Sequence, residues 1–195
     1  MTRIEQLTHK AKDLYQAKKE TRTEWADWLF SHHIFLVAKA AERFSERFGG
    51  DKDLAVAASL LHDIGDAVIS RFDPKHEEES KTIARRFLKE TGFRSDEIKT
   101  IVDDAMTFHG CTDGNRPKTL EGKIMASADA YVHLTSDFYT RAYEAMKGQK
   151  TNDEIKAWAL PKLERDFFEK ILFNEIQNEA KTGYETNKRF FEALK

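Results

Sequence analysis

Leu54-Ala55-Val56-Ala57-Ala58-Ser59-Leu60-Leu61-His62-Asp63-Ile64-Gly65 closes an almost wholly apolar run on two side chains able to ligate a metal, followed by a glycine. A His-Asp pair at the end of so apolar a segment is costly to bury without a partner. A divalent ion is the natural partner, because imidazole nitrogen and carboxylate oxygen both suit borderline and hard cations. Taken alone, such a dipeptide more often marks a solvated helix end. Its reading depends on what the rest of the chain brings to it.

Around this stretch the chain reads as helix. Only three prolines and nine glycines interrupt 195 residues otherwise well supplied with Ala, Leu, Glu and Lys. Thr2-x-x-Glu5 and Thr151-x-x-Glu154 have the spacing of capping boxes, and so does Thr21-x-x-Glu24. The last should start a long helix through Trp25, Trp28, Leu29, Val37, Ala40 and Phe44, ending at Gly49-Gly50. Asp51 should cap the helix that delivers His62 and Asp63, with residues 64–76 irregular. Further helices are expected from about Glu77 to Glu90, from a Ser95 cap to Phe108-His109-Gly110, and from a Thr119 cap through Phe138. No strand is expected. The fold class is all-α, with residues 1–195 forming one domain. Helix 3–19 and helices 151–194 pack on a core of about residues 24–140.

Composition narrows the function. A net charge of −2 argues against a dedicated nucleic-acid or membrane-surface binder, which usually carries a basic excess. The single cysteine, Cys111, excludes an intrachain disulfide and a thiolate metal cage. No apolar run is long enough to span a bilayer, and no leader pattern opens the chain, so a cytoplasmic location is expected.

At about 100° per residue, Leu29, Val37, Ala40 and Phe44 define a helix face whose middle includes His33, with His32 at its edge. Asp129 interrupts the small apolar segment Met125-Ala126-Ser127-Ala128-Asp129-Ala130-Tyr131, where a carboxylate again needs a partner, an ion or a neighbouring Lys or Arg. His133 follows one turn later on the same face, in a supporting or structural place. Trp158, Phe167, Phe168, Phe173, Phe190 and Phe191 in the C-terminal segment read as aromatic packing that completes the core.

His33, His62-Asp63 and Asp129 stand in the order H…HD…D of the HD domain superfamily of metal-dependent phosphohydrolases, which this chain resembles over about residues 24–140. His33-x-x-Leu36-Val37-Ala38-Lys39-Ala40-Ala41 resembles the family's first helix. Ala57 to Gly65 is similar to its A-x-L-L-H-D-I-G signature, and Thr119-Leu120-Glu121-Gly122-Lys123-Ile124 through Asp129 to its closing segment. The chain departs from the pattern at Leu36, often Arg in the family, at Asp66, often Lys or Glu, and at Ser127 and Ala130. Asp66-Ala67 lacks the acidic pair of the alarmone hydrolases, and no G-Y-P motif of the cyclic-di-GMP phosphodiesterases is present.

The resemblance implies an HD-type helical bundle with additional C-terminal helices. It implies a divalent metal (Mn, Co, Ni, Mg, Zn or Fe, one or two ions) held by His33, His62, Asp63 and Asp129. His62 and Asp63 then belong to the catalytic centre, with Asp66 as a general base orienting water. His76 and His109 resemble the family's additional histidines, which bind a second metal or a substrate phosphate. Arg71, Lys75, Arg85 and Lys123 are candidate phosphate contacts, with the arginines favoured for bidentate geometry. The expected activity is hydrolysis of a phosphate ester of a nucleotide or small phosphorylated metabolite, the partner being that small molecule. A homodimer is left open. An HD-type di-iron oxygenase and a non-catalytic metal-binding sensor are the competing readings.

Overall fold

The computed structural model describes residues 1–23 and 25–195, so the capping box that uses Glu24 lies outside the described residues. The chain is all-α: among the described residues there is no strand, only an isolated bridge between Lys147 and Lys150. The helices are α1 (Arg3–Gln16), α2 (Trp25–Leu29), α3 (Phe35–Phe48), α4 (Lys52–Leu61), α5 (His76–Glu90), α6 (Ser95–Ile98), α7 (Leu120–Thr135), α8 (Phe138–Met146), α9 (Asn152–Arg165) and α10 (Asn174–Ala193). Three stretches are wound as wider π-helix: Phe30–Ile34 between α2 and α3, Lys99–Met106 after α6, and Asp166–Lys170 after α9. Such turns are rare and concentrate at functional sites. No helix among the described residues is long and apolar enough to cross a membrane.

The local signals act where they were read. Thr2 and Glu5 close a capping box on α1, and Thr151 and Glu154 close one on α9. Asp51 accepts from Leu54 N–H at 3.2 Å, and Thr119 from Gly122 N–H at 3.1 Å. Two boundaries differ from expectation. Ser95 is the first helical residue rather than the cap; Arg94 precedes it, its N–H donating to Glu97 at 2.7 Å. The helix of Asp129 stops at Thr135 instead of running through Phe138. Ser136 breaks it in extended geometry, and Phe138 opens α8, where its ring turns back over His33 and His133.

Helices α4 and α7 form the centre. Leu54 to Leu61 are all buried, and α7 buries side chains around nearly its whole circumference. Each buried Leu or Ile there contributes on the order of 1.5–3 kcal/mol. One apolar cluster joins α1, α4 and α5 with the Lys99–Met106 turn; a second joins α3, α7, α9 and α10. Helix α10 crosses α7 at Gly183, where a Cβ would lie 2.2 Å from the Leu134 carbonyl oxygen, so only glycine permits the approach. Of the C-terminal aromatics, Phe167 and Phe191 are buried in the second cluster, whereas Phe168 and Phe190 remain exposed.

Candidate metal centre

The centre lies where α4, α7 and the Phe30–Ile34 turn meet. His33 (1% exposed) comes from the wide turn and Asp129 (2%) from the middle of α7. His62 (4%) caps the end of α4. Ligand-capable atoms of these three residues lie within 4.8 Å of one another. His33 Nε2 is 3.2 Å and His62 Nε2 3.7 Å from Asp129 Oδ1, and His62 Nε2 is 3.4 Å from Asp63 Oδ2. His62 Nδ1 donates to the Ser59 carbonyl at 2.9 Å, which leaves the Nε2 lone pair facing inward. His32 is exposed and stacks on Trp28, as its edge position suggested.

These atoms fit a cation. His62 Nε2 and Asp129 Oδ1 are buried without a hydrogen-bond partner, a costly arrangement unless something positive joins them. Donor atoms sharing an ion through ~2.1 Å bonds at tetrahedral to octahedral angles stand roughly 3.0–3.4 Å apart. The pairs His33–Asp129 and His62–Asp63, at 3.2 and 3.4 Å, have that spacing.

Asp63 is held from outside. Arg71 Nη2 lies 2.6 Å from its Oδ2, and Tyr15 OH donates to its backbone carbonyl at 2.8 Å. Burial works to raise the Asp63 carboxyl, but the Arg71 guanidinium holds it well below the usual range. Asp129 behaves likewise. Burial works upward, and the Lys170 ammonium, 2.5 Å from Oδ2 and itself buried, helps hold the carboxyl well below its ordinary value.

Beside the centre opens a polar cleft of about 280 Å³ whose lining includes His62, Asp63, Arg71, His76, Lys81 and His109. His109 faces His62 edge-on at 5.3 Å between ring centroids; its Nδ1 donates to the Met106 carbonyl at 2.6 Å. Burial pushes its pKa down to about 4. Gly65 allows α5 to start against the His62-Asp63 turn. A Cβ there would meet Ser80 Oγ at 2.5 Å and the His76 carbonyl at 2.8 Å, and Gly65 N–H donates to Ser80 Oγ.

The remaining expected site residues divide. Asp66 does not lie on a continuation of α4, which ends at Leu61; it lies in the 3₁₀ turn Ile64–Ala67, fully buried. Both its oxygens are engaged, Oδ1 by His76 Nε2 at 3.0 Å and Oδ2 by Arg71. Asp66 thus bridges His76 and Arg71. Arg85 pairs with Asp103 on the exposed surface, and Lys75 and Lys123 are exposed; none of the three lines the cleft.

The sequence reading missed a buried charge network from the C-terminal segment. Asp166 Oδ2 is bonded to His133 Nδ1 (3.1 Å), Tyr139 OH (2.7 Å) and Lys162 Nζ (3.0 Å). Burial works to raise the Asp166 carboxyl, and Lys162 leads in holding it far below its ordinary value. A signal was present. Asp166 and Lys170 continue the stripe of Ile155, Ala159 and Leu163, all buried, at i+3 and then i+4 spacing, onto one face.

Fold and centre together are those of a helical domain with a candidate metal site. A family model, the HD domain, matches residues 30–133, and the chain belongs to that family of the metal-dependent phosphohydrolase superfamily. The chain is also similar to three proteins named Ribonuclease Y. With that of Sulfurovum sp. it is 31% identical over 97 residues, 50% of this chain and 17% of the relative. With that of Alkaliphilus metalliredigens it is 32% identical over 109 residues, 56% and 20%. With that of Pseudothermotoga lettingae it is 32% identical over 113 residues, 58% and 20%. The similarity thus covers no more than about a fifth of the length of these curated relatives. No solved structure matches the chain.

Proposed function

We propose that the chain hydrolyses a phosphate ester of a nucleotide or small phosphorylated metabolite at this centre. The observation that carries the reading is the convergence of His33, His62 and Asp129, with His62 Nε2 and Asp129 Oδ1 buried and unpartnered, beside a polar cleft. These three residues hold the ion, with Asp63 at their edge. A divalent ion bound there supplies Lewis acidity toward a phosphoryl oxygen and lowers the pKa of water.

The rest is the work of the chain's own groups. Arg71 presents a half-exposed guanidinium to the cleft while its other side neutralises Asp63 and Asp66, so it is placed to clamp phosphate oxygens. Lys81, paired with Glu77, lines the same cleft. His109, its Nδ1 proton committed to Met106, offers Nε2 as a proton acceptor. Asp66 fixes His76 and Arg71.

A second reading is favoured by the relatives, whose printed name is that of a ribonuclease: the ester cleaved is a phosphodiester of RNA. One panel separates the two. Metal-stripped protein is reloaded with Mn, Co, Ni or Mg and offered nucleoside monophosphates, generic phosphate monoesters and short RNA. Phosphate release supports the first reading and RNA shortening the second. His62→Ala and Asp63→Ala should each abolish turnover. Wild-type activity in either variant, or no release from any substrate by loaded protein, refutes the hydrolase reading.

A further inference from the structure

Two imidazoles are accounted for above, and a third points at the same oxygen. His133 follows Asp129 by four residues on α7, which places both side chains on one helix face. Its Nε2 is 3.3 Å from Asp129 Oδ1, matching the spacing from His33, and its ring lies parallel to that of His33 with centroids 4.8 Å apart. The other nitrogen, Nδ1, is hydrogen-bonded to Asp166 Oδ2 at 3.1 Å. The same oxygen accepts from Tyr139 OH and Lys162 Nζ, so Nδ1 is the donor to it. Lys162 Nζ also approaches Nδ1, at 3.2 Å, but it has a closer acceptor in Asp166 Oδ2 at 3.0 Å.

With the proton on Nδ1, His133 turns a lone pair toward Asp129 Oδ1, an oxygen that itself lacks a hydrogen-bond donor. Two lone pairs at 3.3 Å in a dry interior repel unless a cation lies between them. An imidazolium donating from Nε2 would instead give Oδ1 an aligned hydrogen bond, and it has none. We propose that His133 is a further ligand of the metal centre, its ring oriented by Asp166 from the segment beyond the family-matched residues. The inference rests on the metal-centre reading of the preceding subsection. The arrangement is that of a ligating histidine whose second nitrogen is held by a carboxylate. Tyr139 OH and Lys162 fix that carboxylate in turn. With three imidazoles and only one or two carboxylates, the centre favours Zn, Co, Ni, Fe or Cu over Mg.

The test counts nitrogens. Wild-type protein loaded with one equivalent of Cu²⁺, as the probe, is examined by electron spin echo spectroscopy, and Co²⁺ affinity is measured by titration. Three coordinated imidazoles are expected in the wild type and two in His133→Gln, with Co²⁺ binding weakened roughly 10-fold or more. Asp166→Asn should keep three imidazoles yet weaken binding by roughly 10- to 100-fold, the usual effect of losing a ligand's supporting group. Two imidazoles in the wild type overturn the assignment, even if the variants fail to fold. An unchanged count and affinity in folded His133→Gln overturn it as well, leaving the remaining centre in place. No bound ion in the wild type overturns both this inference and the metal-centre reading.

Discussion

Lys170→Met isolates the charge that the C-terminal segment brings to the centre. The ammonium lies 2.5 Å from Asp129 Oδ2, with both side chains at least 96% buried, and 3.9 Å from Asp166 Oδ1. Methionine keeps the volume and removes the charge, which leaves a buried carboxylate oxygen without its partner. Breaking a buried pair from one side costs about 3–5 kcal/mol. At roughly 2–4 °C per kcal/mol for a chain of this size, the melting temperature in chelator should fall by about 6–20 °C. A divalent ion on Oδ1 neutralises the same carboxylate, so in saturating Mn²⁺ the deficit should shrink by half or more. Calorimetric melts of wild type and variant, each in chelator and in Mn²⁺, measure all four values. A variant melting like wild type in chelator, or an equal loss in both conditions, would refute the reasoning. In the cycle with Asp129→Asn, the two substitutions should be strongly non-additive.

Three further outcomes follow from the same geometry. Burial pushes the pKa of His133 down to about 3, whereas an unfolded histidine titrates near 6.5. Its stabilising contribution is complete above pH 6.5 and is lost as pH falls toward 3; at pH 5 the metal-free protein should be about 2 kcal/mol less stable on this account. Urea midpoints at pH 7.5 and 5 check this, and a flat profile contradicts it. Gly65→Ala would press a methyl against Ser80 Oγ and the His76 carbonyl, and should cost about 1–3 kcal/mol and weaken metal binding, as read by thermal melts and Co²⁺ titration. Arg71→Lys keeps the charge but loses the planar fork, so KM for a phosphate ester should rise about 10-fold with a smaller change in kcat. An unchanged KM would remove Arg71 from the phosphate site.

Local rules and tertiary placement contributed differently to what could be read in the chain. Caps at Thr2, Asp51, Thr119 and Thr151 depend on a few neighbouring atoms and were legible from spacing. His33 was placed inward from the apolar face alone, and it is buried. Asp166 and Lys170 were not found, because Lys162-Leu163-Glu164-Arg165-Asp166 looks like any solvated charge run until the packing partner is known. The end of α7 at Thr135 was also hidden, since nothing in Ser136-Asp137 forbids a helix outright. Asp66 shows the same limit. Its contacts could not be read from the chain, because they depend on Arg71 and His76 reaching it from a loop and another helix.

The wide turn at Phe30–Ile34 holds one residue more than a regular helical ladder needs. Deleting a single residue there would restore ordinary winding and re-aim the side chains within the turn, His33 among them. A chain one residue shorter, with nearly the same composition, would keep its helices and forfeit the register that brings His33 to Asp129. The chemistry of this molecule therefore hangs on the length of one turn, and so does the packing of Leu29 and Ile34 on either side of His33.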